Sequence, residues 1–128
     1  MNSHTTYLIY GPTASLIRMA EKLFTDHPPN FLHSRSFNAI QTKLDVAVYE
    51  EYDKQINSSI TLTCIFETTP HHNKILLKKT GGRMGFRGSA ISEQQSLEKI
   101  VTDFIFDYSK RFGLTVQEER ISDIKEED

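Results

Sequence analysis

Residues 59–67 read SITLTCIFE, and the fold turns on them. Ile60, Leu62, Cys64 and Phe66 fall on one side of an extended chain, while Ser59, Thr61 and Thr63 fall on the other. A period of two held this cleanly marks a strand with one buried face. The preceding stretch behaves alike. Residues 45–52 alternate Val46, Val48, Glu50 and Tyr52 against Ala47, Tyr49 and Glu51, and a polar DKQINSS turn divides the two runs. A further strand-like run, residues 31–37, places Phe31, His33, Arg35 and Phe37 on one face.

Helical patterns lie to either side. Residues 5–10 read as a strand ended by Gly11-Pro12, and Pro12 suits the first turn of a helix, where its missing N–H costs nothing. Leu16, Ile17, Ala20, Leu23 and Phe24 then recur at helical spacing until His27-Pro28-Pro29 stops the run. Near the other end, Ser92 to Gln95 spells the S-x-x-Q capping box. Leu97, Ile100, Val101, Phe104, Ile105, Tyr108 and Phe112 trace one apolar stripe behind it. Lys110 and Arg111 complement the helix dipole, Gly113 supplies the C′ position, and residues 114–116 begin a short final strand.

The order β-α-β-β-β-β-α-(β) predicts an α+β fold: an antiparallel sheet of about five or six strands, packed on one face by two helices. Residues 1–117 form a single domain in this reading. Residues 118–128 carry six acidic side chains against Arg120 and Lys125, and read as an acidic, frayed tail.

Composition narrows the function classes. The chain has 128 residues, enough to bury a self-sufficient core. Its net charge of −2 gives the molecule as a whole no preference for a polyanion. One cysteine excludes an internal disulfide or a multi-cysteine metal centre. The opening MNSHTTYLIYGP lacks the basic and long apolar segments of a secretory signal, and no apolar run reaches membrane-spanning length. The expectation is a cytoplasmic protein with no membrane partner.

Residues 74–88, KILLKKTGGRMGFRG, are the most distinctive segment electrostatically. They hold four of the six glycines and no acidic residue. A Walker A loop would need lysine after its last glycine, but Ser89 follows Gly88. Gly81-Gly82-Arg83 does not supply the G-x-G of a dinucleotide fingerprint. The overlapping G-x-x-G motifs resemble the backbone clamp of a KH domain, but that loop joins two helices and this one follows a strand. The stronger reading is a hairpin turned by Gly81-Gly82, pairing Leu77 with Phe86 and Ile75 with Gly88. Its other face then carries Lys78, Arg83 and Arg87 around the bare backbone of Gly85, a candidate anion-binding surface. The same charges also serve simply to guard a strand edge.

No catalytic residue stands out, and neither a metal nor a cofactor is implied. Cys64 falls in register with core positions, not with an electropositive exposed site. Glu50 and Glu51 face opposite sides of their strand, as do His71 and His72 where the chain is extended, so neither pair forms a joint site. No G-x-S-x-G or H-E-x-x-H signature occurs.

The strand from Val46 to Tyr52, its polar turn, the Thr-rich strand, the strand ending in Gly81-Gly82 and the closing amphipathic helix are together similar to short, uncharacterised bacterial α+β proteins grouped as domains of unknown function. That resemblance implies a small α+β fold without an assigned activity, and it carries over no functional residue. The leading expectation is a small non-catalytic binding or protein-interaction module whose partner includes a second copy of itself. The alternative is a nucleic-acid or phosphate-ligand binder using Lys78, Arg83, Arg87 and Gly85, and an enzyme ranks last.

Overall fold

The computed structural model describes residues 3–54, 57–81 and 97–122. Six strands, β1 (Ser3–Tyr10), β2 (Phe31–Phe37), β3 (Thr42–Asp53), β4 (Ser58–Thr68), β5 (His72–Gly81) and β6 (Thr115–Ser122), form one sheet in the order β2-β3-β4-β5-β1-β6. Every neighbouring pair is antiparallel. Helix α1 (Thr13–Asp26) links β1 to β2, and helix α2 (Leu97–Arg111) lies between β5 and β6 in the chain. The fold is α+β, as the alternation and helical stripes predict.

Both helices pack on one face of the sheet. Tyr7, Ile9, Leu62, Cys64, Phe66, Ile75 and Leu77 meet Leu16, Met19, Leu23, Val101 and Ile105 in a single buried cluster. The Phe66 ring lies edge-on to Phe24 at 6.1 Å, and Tyr7 edge-on to Phe106 at 5.7 Å. Helix α1 is also tied down by polar contacts. The amide of Asn73 donates to the Leu16 carbonyl at 2.9 Å, and the Tyr49 hydroxyl donates to the His27 carbonyl just beyond the helix end at 2.7 Å. Tyr108 of α2 donates to the Ser15 carbonyl at 2.8 Å.

Helix α2 ends as its sequence predicts. Gly113 has φ +69°, and the Leu114 amide donates back to the Ser109 carbonyl at 2.8 Å, closing a Schellman motif. Ile17 departs from its predicted role. It is 56% exposed, and Met19 fills the core in its place. The Ser92–Gln95 capping box lies outside the described residues.

Two expectations about chain pairing change. The predicted hairpin needs a free edge beside Ile75 and Leu77. Ile75 pairs with both Phe66 and Tyr7, and Leu77 with both Cys64 and Thr5. A strand has two edges, and at Ile75 and Leu77 β4 and β1 take both; Phe86 and Gly88 lie outside the described residues. Gly81 does adopt the positive φ (+91°) foreseen for it, but residues 82–96 lie outside the described residues. The domain boundary expected at residue 117 also moves. Residues 118–122 continue β6 and pair with β1 to its first described residue. An edge partner for β1 outweighs the local cost of clustered acids, whose side chains alternate across the strand.

Gly113→Ala should destabilise the fold by about 1 kcal/mol, because its left-handed backbone disfavours any Cβ although nothing lies within 4 Å of the added atom. Urea denaturation measures this directly, and an unchanged midpoint would show that the Schellman motif is dispensable.

Candidate functional site

Strand register sorts the described side chains onto two faces, and the face away from the helices is unusual. Its central row runs His33, Val46, Ile65, Leu76, Thr6 and Glu119 from β2 across to β6. The neighbouring row runs Arg35, Leu44, Glu67, Lys74, Leu8 and Gln117. Phe31, Val48, Thr63 and Lys78 line up on the other side. Solvated faces of antiparallel sheets usually alternate to polar residues. Here Leu8, Leu44, Val46, Val48, Ile65 and Leu76 form a half-buried apolar centre. Phe31 (57%), Tyr10 (42%), Tyr52 (55%) and Phe37 (38%) stand exposed around it.

Charges on this face are balanced. Arg35, Lys74 and Lys78 are matched by Glu50, Glu67 and Glu119, and Lys74 stands directly opposite Glu67 in register. The Arg35 guanidinium lies 5.4 Å from the centre of the Phe37 ring. Lys78 occupies the open face as predicted, half-buried and opposite Thr63. Arg83, Gly85 and Arg87 lie outside the described residues.

Among the described residues, the helix-bearing side shows two sizeable concavities. The larger, about 930 Å³, runs between α1 and α2 past Lys22, Asp26, Asp103, Asp107 and Arg111. Its charged groups are solvent-exposed, and Lys22 already pairs with Asp26 at 3.4 Å. The second, about 730 Å³, opens between α1 and the β2–β3 end of the sheet. It is lined by two buried polar side chains, Asp45 and Thr68, that composition alone did not single out. Asp45 begins the alternating run at residue 45, so its inward direction was readable from parity. Its burial depended on β2 and α1 arriving beside it.

The remaining candidates resolve as structural. Cys64 is fully buried, and burial, aided by the nearby charge of Asp45, pushes its thiol from 9.0 up to about 12. Burial also raises the Tyr49 hydroxyl, with Cys64 adding to the effect. Glu50 and Glu51 take opposite faces, both exposed. The Thr69 hydroxyl accepts from the His71 and His72 amides, so those residues build the β4–β5 turn. His33 stands four strands from His4, about 19 Å away at the usual strand spacing. Among the described residues, no three His, Cys, Asp or Glu side chains group as metal ligands, and no helix is long and apolar enough to cross a membrane.

No family model matches the chain, and no curated protein matches it. Among solved structures it is similar to the crystal structure of a conserved protein from Geobacillus kaustophilus. The two share 10% identity with a TM-score of 0.39, over 91% of this chain and 99% of the other. So remote a likeness brings no functional residue with it.

Cys64 and Tyr49 both hold their protons more tightly when folded, so the unfolded chain ionises first. Their stabilising contribution is complete below pH 9 and is lost as pH rises towards 12. Urea midpoints from pH 8 to 11 should fall more steeply for the wild type than for Cys64→Ala, by up to about 1.4 kcal/mol per pH unit. Parallel curves would remove Cys64 from the alkaline transition.

Proposed function

We propose that this domain is a non-catalytic interaction module whose open sheet face meets a second copy of itself. The observation that carries this reading is the apolar centre Val46, Ile65 and Leu76, placed side by side on the face away from the described helices. Size supports it. Six strands at about 4.8 Å spacing, each about ten residues long, make a face of roughly 900 Å². A standard interface takes about 800 Å² from each partner.

Charge supports the same occupant. A face with matched acids and bases complements itself across a two-fold axis. It offers little net attraction to a polyanion, so the nucleic-acid alternative rests on Arg83 and Arg87 beyond the described residues. Binding to DNA or RNA that falls steeply with salt and is lost on charge reversal at those arginines would favour that alternative.

Light scattering behind size exclusion should return twice the 14.7 kDa chain mass at micromolar concentration. Ile65→Glu, with an unchanged circular dichroism spectrum, should return a single-chain mass, because it buries two facing carboxylates at the centre of the contact. Small-angle scattering should give a radius of gyration near ~18 Å for a compact two-chain particle. A monomeric wild type, or an Ile65→Glu variant that stays dimeric, overturns the reading.

A further inference from the structure

The pocket between α1 and the β2–β3 end of the sheet contains a buried carboxylate whose needs the fold meets only by half. Asp45 is 1% exposed. Its Oδ1 accepts the Ser34 hydroxyl and faces Lys43 Nζ at 3.8 Å. Its Oδ2 has no hydrogen-bond partner among the described residues, and neither has Oγ1 of Thr68, which is 7% exposed and lines the same pocket. Lys43 lies directly opposite Thr68 in register, and Ser34 opposite Asp45, so these groups occupy adjoining positions on one face.

Leaving such atoms unpaired costs about 1–3 kcal/mol each, more for a charged group. A single water needs about 30 Å³, far less than the 730 Å³ here. The rest of the lining is mixed: Ile17, Phe24 and Leu32 give an apolar strip beside polar groups that include Glu21 and Gln41, and Ile17 and Leu32 are 56% and 43% exposed. A buried acceptor pair beside exposed apolar surface is the arrangement of a small-ligand site.

Lys43 indicates the chemistry. Its ammonium is the one cation near Asp45 among the described residues, but 3.8 Å is beyond hydrogen-bond length, and its side chain is 51% exposed. The carboxylate therefore has a loosely held counter-ion on a flexible stem that swings away at little cost. We propose that this pocket binds a ligand bearing a primary alkylammonium group, which displaces the Lys43 ammonium. The ligand nitrogen donates to Asp45 and Thr68, and its alkyl chain lies against Ile17, Phe24 and Leu32. Three donors on one nitrogen suit two acceptors and a neighbouring hydroxyl such as Ser34. A hard divalent ion is a poorer fit, since it asks for six or more oxygens and more than one carboxylate.

Titration of the ¹⁵N-labelled full chain with butylammonium chloride should give saturable shifts at the amides of Ser34, Asp45 and Thr68. Tetramethylammonium chloride, which has no donor, and 1-butanol, which has no charge, should give none. Asp45→Asn should abolish the response. Lys43→Met should strengthen it severalfold, because the competing internal ammonium is gone, and this variant keeps the test decisive if Asp45→Asn fails to fold. N-acetyl-lysine methylamide separates the sources: saturable shifts with it as well assign a lysine side chain of a peptide, and shifts with butylammonium alone assign a free amine. No saturable shift with butylammonium, an equal response to tetramethylammonium, or weaker binding by Lys43→Met overturns the proposal.

Discussion

The backbone of β5 is paired on both sides, with β4 along one edge and β1 along the other. This double pairing organises the rest of the molecule. Because the N-terminal strand inserts beside β5 and not at an outer position, the far side of β1 is free to take the last strand, and β6 lies there. Alternating antiparallel pairs make β5 and β6 parallel to each other, and likewise β1 and β2. Parallel strands cannot be joined by tight turns, so both connections must cross over the sheet. Both described helices take the same face, and among the described residues no helix lies on the other.

Packing energetics follow from that asymmetry. The helix face is closed by aromatic and aliphatic side chains, yet it keeps a polar seam of Lys43, Thr68 and Asn73 in one register row, with Asp45 diagonal to it. At Asn73 the seam is met in part by α1, whose Leu16 carbonyl accepts the side-chain N–H, while Oδ1 has no partner among the described residues. Nearer β2 the helix does not reach so far. All seven β2 side chains are exposed, and the polar groups beside them find fewer partners. The pocket is thus a result of two elements of unequal reach, an inner helix and an outer strand.

Local periodicity made much of the fold legible. Alternation in residues 45–52 and 59–67 marks β3 and β4 because cross-strand burial repeats every second residue, and the stripe from Leu97 to Phe112 marks α2 for the corresponding helical reason. Gly113 was readable because its conformation is a property of its own backbone. What failed was pairing between distant segments. Gly81-Gly82 has the composition of a two-residue turn, a local signal, whereas the partner that occupies the second edge of β5 is some seventy residues earlier in the chain. Clustered acids suggested a frayed tail by the same kind of local inference. Val46, Ile65 and Leu76 lie on three different strands, and only register aligns them into one row.

The open face and the Asp45 pocket use the same strands in opposite directions. Asp45 faces α1, while its neighbours Leu44 and Val46 face away, and Phe66 and Ile65 divide in the same manner on β4. A period of two therefore lets adjacent residues serve separate surfaces with no shared side-chain contact. Substitutions at Ile65 and Asp45 touch different partners across the thickness of the sheet, and their effects on stability should add, as independent sites do. Additivity also limits what one site can convey to the other. A ligand at Asp45 would alter association at Ile65 only by shifting the register or twist of β3 against β4, and eleven paired positions hold that register. The fold thus favours two independent binding surfaces over a coupled pair.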